Sequence, residues 1–285
     1  MTESIGQLTA PNLQVEAANG VRYIYRRFGN AESSALPLLM LVHYRANLDN
    51  WDPALVDALA QEREVVLVDN IGVGGSSGTS PSTVGEMALG AIAFTDALDL
   101  HRYDLLGFSL GGFVGQEVAL RRPYAVRRLV LAGTGPEGGR NMHVYSGKIR
   151  EIALSDQPAI EDLLTLFFEP TESSQALGRE FIKRILTRRT DRDELVDLAT
   201  RDAQLSAIST WGIPDRTRLH RLAAITQPVL VANGDNDRMV PTENTHLLAQ
   251  HLPNATLRIY PDAGHGFLFQ NPAEFAAEVN AFLGR

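Results

Sequence analysis

The sequence contains no cysteine, so disulfide bonds, thiolate metal ligands and a cysteine nucleophile are all excluded. No apolar run approaches the ~20 residues that a bilayer-spanning helix needs. The net charge of −8 argues against nucleic acid or an anionic membrane surface as a partner. Residues 1–7 lack the basic segment and apolar stretch of a secretory signal, and residues 1–10 are predicted to form a loose leader. We therefore expect a cytoplasmic protein.

The 285 residues are 44% hydrophobic and 21% charged, which is typical of a globular protein with a sizeable core. Short apolar runs alternate with stretches of helical periodicity, which predicts an α/β fold with a mostly parallel sheet flanked by helices. The predicted strands are 21–28, 38–42, 64–69, 103–106, 126–132, 228–234 and 256–260, and the predicted helices of this part are 51–61, 83–98, 112–120, 243–250 and 272–282.

The alternation stops after the fifth of these strands. Residues 137–224 contain no strand-like run, and helical periodicities cover 161–168, 173–189 and 192–210. We therefore predict core segments at 1–136 and 225–285 and a helical insertion at 137–224. The basic side chains in its middle are predicted to form a solvated helix face, with an anion-binding role as the alternative; they are Arg179, Lys183, Arg184, Arg188, Arg189 and Arg192.

The segment Gly107-Phe108-Ser109-Leu110-Gly111 lies between a short apolar run and a helical pattern. A serine at a turn from strand directly into helix is typical of a nucleophile elbow, where strained backbone lifts the hydroxyl above the sheet. Glycines on both sides are needed because a Cβ there would collide with neighbouring backbone. The alternative is an ordinary serine at the N-terminus of a glycine-rich helix.

A serine nucleophile needs a base and a group that orients the base. Among seven histidines, His265 follows a predicted strand and is flanked by Gly264 and Gly266. Asp235 and Asp237 follow another predicted strand, and either carboxylate could accept from the imidazole. We favour Asp237 as the orienting acid and expect the other aspartate to cap the turn.

The oxyanion of a tetrahedral intermediate needs two backbone N–H donors. One is expected from Leu110 at the start of the helix, and the other from the loop at residues 43–46. A glycine-dense loop at 70–78 fits neither of the common phosphate-binding spacings, so we interpret it as a structural turn, with nucleotide binding as the alternative.

Four motifs in this order resemble those of the α/β-hydrolase superfamily, and the resemblance extends from about residue 12 to 285. They are D-x-x-G-x-G-x-S at 69–76, G-x-S-x-G-G at 107–112, the acid loop at 234–241 and the histidine loop at 263–265. The resemblance implies the α/β-hydrolase fold with a helical cap at 137–224. It also implies a triad of Ser109, Asp237 and His265.

One motif departs from that family's pattern. Val42-His43-Tyr44 replaces His-Gly-aromatic, so the second oxyanion donor is expected to be Tyr44, with Arg45 as the alternative. The histidine that replaces glycine is expected to point into the pocket. Residues predicted to contact substrate are His43, Arg45, Phe108, Phe167 and Trp211.

These features favour a serine hydrolase that cleaves a carboxylic ester or lactone through an acyl-enzyme, without metal or cofactor. The predicted partner is a small-molecule substrate with an apolar portion. A C–C bond hydrolase, a perhydrolase or haloperoxidase using the same triad, and a non-catalytic ligand-binding member are the alternatives. Relatives of this fold that use aspartate at the elbow, namely haloalkane dehalogenases and epoxide hydrolases, are disfavoured. The oligomeric state is left open.

Overall fold

A computed structural model describes residues 5–284, which are built around one eight-stranded sheet. The strands are β1 (Leu13–Glu16), β2 (Arg22–Gly29), β3 (Leu38–Leu41), β4 (Glu64–Val68), β5 (Tyr103–Phe108), β6 (Val126–Ala132), β7 (Val229–Gly234) and β8 (Ala255–Tyr260). Their order across the sheet is β1-β2-β4-β3-β5-β6-β7-β8. The β1/β2 and β2/β4 pairs are antiparallel and all other pairs are parallel, which confirms the predicted mostly parallel sheet.

The central strands are apolar because helices cover the sheet on both faces. Every residue of β3, β5 and β7 is buried, as expected for strands without a solvent-facing side. The ten α-helices among the described residues are α1 (Pro53–Ala60), α2 (Val84–Ala97), α3 (Leu110–Arg121), α4 (Gly147–Ala153), α5 (Asp162–Phe167), α6 (Glu172–Ile185), α7 (Leu198–Trp211), α8 (Glu243–His251), α9 (Phe267–Gln270) and α10 (Pro272–Leu283).

The sheet divides the hydrophobic core into two clusters, one on each of its sides, where helices pack against it. Helices α2 and α3 pack together in one cluster, while α1 and α10 pack together in the other. Strand β4 lies beside β3 on one side, and β5 lies beside β3 on the other side, so the strand order reverses at β3. The carboxyl ends of β3 and β5 therefore form a topological switch point, which is where α/β folds bind ligands.

Between β6 and β7 the described residues contain helices α4 to α7 and a 3-10 turn at Arg218–Ala224, and no strand. The predicted helices 161–168 and 173–189 correspond to α5 and α6. Helix α7 begins six residues later than predicted, because the side chain of Asp197 accepts from Thr200 N–H at 2.7 Å and caps the helix there. Helix α4 was not predicted.

The interpretation of the basic residues of this segment as a solvated face is wrong for two of them. The guanidinium of Arg184 makes two hydrogen bonds to the buried carboxylate of Asp52, at 2.8 and 2.6 Å. Arg188 is 4% exposed and donates to the carbonyl oxygens of Gln7, Leu8 and Ala10. These hydrogen bonds from Arg184 and Arg188 attach the segment to the core.

The prediction of a loose leader is also wrong within the described residues. Gln7 and Ala10 are almost fully buried, and the amide of Gln7 donates to the carbonyl of Leu48 at 2.7 Å. Residues 1–4 of the predicted leader lie outside the described residues. Over the range 5–284, no helix is both long and apolar enough to cross a membrane.

Candidate active site

Ser109 lies at the corner between β5 and α3 with φ 55° and ψ −118°. Non-glycine residues rarely adopt this backbone conformation, and its cost is about 1–3 kcal/mol. Two hydrogen bonds hold the corner in place: Ser109 N–H donates to the carbonyl of Ala132 at 2.9 Å, and the hydroxyl of Thr134 donates to the Ser109 carbonyl at 2.9 Å. This is the strained strand-to-helix turn that the glycine spacing predicts.

The glycines around the corner are required by close packing. A Cβ on Gly107 would overlap the carbonyl of Gly111, and a Cβ on Gly111 would overlap the carbonyl of Leu41 at the end of β3. The first turn of α3 therefore lies directly against the strand that leads into the loop at residues 43–46. This contact places the N-terminus of α3 beside that loop.

His265 and Asp237 form a buried hydrogen-bonded pair. Nδ1 of the imidazole is 2.6 Å from Oδ2 of Asp237, and both side chains are at most 1% exposed. The other oxygen of Asp237 accepts from the N–H groups of Met239 at 2.8 Å and Val240 at 2.9 Å. Because a carboxylate only accepts, the proton of this contact lies on Nδ1 and leaves Nε2 as the free acceptor of the ring.

Asp235, the other candidate acid, does not reach the imidazole. Its carboxylate accepts from the backbone N–H groups of Asp262 and Ala263, each at 3.2 Å. These bonds tie the loop after β7 to the loop after β8, which is the turn-capping role that the sequence allowed for one of the two aspartates.

The His265 ring lies beside the nucleophile elbow. Its centroid is 4.9 Å from that of Phe108, the residue before Ser109. The ring also borders Gly133, where an added Cβ would be 3.3 Å from the imidazole. Gly133 directly follows Ala132, whose carbonyl binds Ser109 N–H. The loops after β5, β6, β7 and β8 thus bring the hydroxyl, imidazole and carboxylate residues to one edge of the sheet.

Two backbone N–H groups near this edge have no hydrogen-bond acceptor among the described residues. Leu110 N–H, in the first position of α3, and Tyr44 N–H make no hydrogen bond to the described residues. The N–H of Arg45, by contrast, donates to Oε1 of Gln204 at 2.8 Å. Of the two alternatives for the second oxyanion donor, only Tyr44 has its N–H free.

His43, directly before Tyr44, is buried among aromatic rings. Its centroid lies 5.3 Å from that of Phe108 and 5.1 Å from that of Phe167, both edge-on. Burial lowers the pKa of His43 to about 3, although the carbonyl of Tyr44, 3.0 Å from Nδ1, acts in the opposite direction. The ring is therefore neutral at any ordinary pH, with its proton on Nδ1 and a bare Nε2.

The structure brings three of the five predicted substrate contacts together, namely His43, Phe108 and Phe167. The indole of Trp211 instead stacks on Phe113 of α3 at 5.4 Å and donates to the carbonyl of Gly135. The guanidinium of Arg45 donates to the carbonyl of Ser155 at 2.7 Å.

Two residues of this region were not singled out from the sequence. Phe269 packs its ring 5.3 Å from Phe108 in the aromatic cluster, and its position four residues after His265 is the signal that could have identified it. Gln204 reaches the loop from α7, and nothing in its local sequence distinguishes it. Among residues 5–284, no group of three or more His, Asp or Glu side chains is arranged to hold a metal ion.

Comparison with known proteins agrees with this architecture. A family model described as the alpha/beta hydrolase fold matches residues 37–272. A poly(3-hydroxyalkanoate) depolymerase of Ectopseudomonas oleovorans is 30% identical over 248 residues, which is 87% of this chain and 84% of that protein. A candidate carbamate hydrolase, RutD, of Pseudomonas syringae is 29% identical over 235 residues, 79% of this chain and 85% of the relative.

Among solved structures, an alpha/beta hydrolase fold protein from Chitinophaga pinensis superimposes with a TM-score of 0.91 at 38% identity, covering 98% of this chain and 99% of that one. The similarity therefore includes the segment between β6 and β7 as well as the sheet.

Proposed function

The chain belongs to the α/β-hydrolase family, and on that premise we propose that it is a serine hydrolase that cleaves a carboxylic ester or lactone through an acyl-enzyme on Ser109. The observation that carries this proposal is the 2.6 Å hydrogen bond from His265 to Asp237, beside a serine held at φ 55°. The name of the 30% identical depolymerase, whose polymer is an ester, supports an ester bond as the target.

In the proposed reaction, Nε2 of His265 takes the hydroxyl proton while Oγ of Ser109 attacks the acyl carbon. The carbonyl π electrons move onto oxygen, and this oxyanion accepts from the N–H groups of Leu110 and Tyr44. Collapse breaks the bond to the alkoxy oxygen, which leaves with the proton from His265. Water then attacks the acyl-enzyme with the same proton relay, which frees the acid and restores Ser109.

The electrostatics of the site fit this sequence of steps. Asp237 holds the imidazole through Nδ1 and stabilises the imidazolium that forms in each step. Leu110 N–H lies at the positive end of the α3 dipole, where developing negative charge is stabilised. His43 stays neutral throughout the reaction. It therefore places no positive charge near His265 that would oppose protonation of that imidazole.

The pocket wall favours a substrate with an apolar portion. Phe108 and Phe167 pack against both imidazole rings, and Phe269 packs against that of His43; pockets that bind apolar groups are lined in this way. We propose that residues 137–224 act as a cap over the site. Phe167 of that segment lies 5.4 Å from the His265 ring, and Ser109 is only 7% exposed.

The test is reaction with a fluorophosphonate probe, followed by turnover of p-nitrophenyl esters, lactones and a carbamate. We expect one label at Ser109, loss of label and turnover in Ser109→Ala, and unchanged thermal unfolding or a slight gain, because alanine meets the same backbone strain. A carbamate turned over faster than every ester would reject the ester assignment. Turnover that persists in Ser109→Ala would reject the nucleophile.

A further inference from the structure

We propose that Thr134 is a positioning residue for the first oxyanion donor: from the loop after β6, its hydroxyl holds and polarises the peptide between Ser109 and Leu110, whose N–H receives the oxyanion. The inference rests on the proposed function of Ser109 and adds to it a residue that acts through the backbone.

The carbonyl of Ser109 and the N–H of Leu110 belong to one planar trans peptide, so the two groups point in opposite directions and turn together. Oγ1 of Thr134 donates to that carbonyl at 2.9 Å. The N–H at the other end has no acceptor among the described residues. A contact that fixes the direction of the carbonyl therefore also fixes the direction of the oxyanion donor.

The end of β6 and the loop after it hold the strained serine at both of its peptides. The Ala132 carbonyl accepts from Ser109 N–H at 2.9 Å, and two residues later the Thr134 hydroxyl reaches the Ser109 carbonyl. Gly133 between them has φ 53°, and a Cβ there would be 2.9 Å from the ring of Phe108. The two contacts act on opposite sides of the Ser109 Cα, so together they oppose relaxation of its strained φ and ψ.

Two N–H groups of α3 also bind the Ser109 carbonyl, namely those of Gly112 at 2.8 Å and Phe113 at 3.3 Å. They belong to the same helix as Leu110, so they orient the peptide relative to that helix. Among the described residues, the bond from Thr134 is the one that ties the carbonyl to a different element. Each donor to the carbonyl also polarises the peptide, and a polarised peptide is a stronger donor at its N–H.

Close packing holds the Thr134 side chain in this position. Thr134 is 1% exposed, and a Cβ on Gly112 would be 2.6 Å from its Cβ, Cγ2 and Oγ1. The last glycine of the G-x-S-x-G-G motif therefore leaves the space that Thr134 occupies. A donor contributes to catalysis to the extent that it is oriented before charge develops, and this packing orients the peptide in advance.

The experiment compares Thr134→Val, which keeps the branched shape but removes the hydroxyl, with Thr134→Ser, which keeps the hydroxyl. The control is Thr95→Val in α2, because Thr95 is 3% exposed and its hydroxyl donates to the Ile92 carbonyl at 2.9 Å. It loses the same kind of buried bond from another element. Thermal unfolding checks that each variant folds, and Thr134→Ala replaces the valine variant if that one does not.

For Thr134→Val we expect kcat to fall by about 3- to 20-fold with KM nearly unchanged, because the oxyanion develops only on the way to the transition state. This is less than the ~10²- to 10³-fold that loss of a whole donor costs. Binding of a boronic acid that forms a tetrahedral adduct with Ser109 should weaken in parallel with kcat/KM. Thr134→Ser should recover kcat to within about twofold of wild type, and Thr95→Val should keep it.

The Leu110 amide reports the peptide independently of activity. Serine is followed by leucine at one place in the sequence, residues 109–110, so labelling with carbonyl-¹³C serine and ¹⁵N leucine selects this amide by nuclear magnetic resonance. An amide proton in a weaker hydrogen bond resonates further upfield. We expect the Leu110 signal of the boronic acid adduct to move upfield in Thr134→Val and to stay near its wild-type position in Thr134→Ser.

Four outcomes separate this inference from the proposed function. An unchanged Leu110 signal in Thr134→Val, in the free enzyme and the adduct alike, overturns the inference whatever the activity. Equal losses of kcat in Thr134→Val and Thr134→Ser also overturn it, because packing and not the hydroxyl would be responsible. A shifted signal with wild-type kcat, in an enzyme that Ser109→Ala inactivates, overturns the positioning role. Absence of Ser109-dependent turnover in the wild type counts against the proposed function, and the Leu110 signal of the free enzyme then still decides whether Thr134 polarises this peptide.

Discussion

Asp237 accepts from Nδ1 of His265 at 2.6 Å while its second oxygen is held by two backbone N–H groups. The carboxylate is therefore fixed before any substrate arrives, and it fixes both the tautomer and the plane of the imidazole. Orientation of the base is the main contribution of the third member of a catalytic triad. In the proposed mechanism Asp237 has this role and its neighbour Asp235 does not, so variants of the two can be compared.

We expect Asp237→Asn to lower kcat by about 10³- to 10⁴-fold, because an amide holds the imidazole in the wrong tautomer. The matched control is Asp235→Asn, two residues away, whose carboxylate accepts only from backbone N–H groups. It should retain activity within a few-fold. Steady-state hydrolysis of one p-nitrophenyl ester measures both variants, and equal losses would show that the loop and not the carboxylate is responsible.

His43 should make the protein less stable as the pH falls. Its pKa is about 3 in the folded chain against an ordinary value of 6.5, so between these values the unfolded chain binds a proton that the folded chain does not. The stability linked to His43 is therefore fully present above pH ~6.5 and is lost on acidification, by up to ~1.4 kcal/mol per pH unit.

Urea unfolding of wild type and His43→Gln at pH 4.5 to 7.5 measures this dependence. Glutamine does not titrate and keeps an N–H donor for the Tyr44 carbonyl, so the variant should show a shallower loss of unfolding free energy toward acid. The control is His101→Gln, whose ring is 84% exposed; it should follow the wild-type curve. Parallel curves for wild type and His43→Gln would contradict the prediction.

The parts of the site that local sequence determines could be predicted. The turn at Ser109 needs small neighbours on both sides, and Gly107 and Gly111 therefore mark it within five residues. His265 and Asp237 each follow a short apolar run, and parallel strands bring the ends of such runs to the same edge. The fold followed from the same alternation of apolar runs and helical periodicity.

The features that could not be predicted depend on contacts between distant segments. Nothing near Arg188 shows that its guanidinium is buried against the carbonyls of Gln7 and Ala10, because a basic residue on an amphipathic helix is usually solvated. The side chain of Gln204 accepts from Arg45 N–H across 159 positions of sequence. Trp211 of α7 stacks on Phe113 of α3, and nothing near either residue marks that contact in the sequence.

The pair of Arg184 and Asp52 should contribute substantially to stability. Asp52 is fully buried and also caps α1 by accepting from Ala54 N–H at 3.0 Å, while Arg184 of α6 supplies its two charged hydrogen bonds. Arg184→Met would leave a buried carboxylate with one backbone donor. Loss of one partner of a buried pair costs about 3–5 kcal/mol, and we expect ~2–3 kcal/mol here because Arg184 is itself 32% exposed.

The neighbouring Lys183 offers the matched control, since its 2.7 Å contact with Glu180 lies on the exposed face of the same helix. Exposed pairs of this kind contribute about 0–1 kcal/mol, so Lys183→Met should unfold within that range of wild type. Urea unfolding of the two variants separates the roles. If Arg184→Met and Lys183→Met lose equal stability, the pair with Asp52 does not anchor α6 to the core.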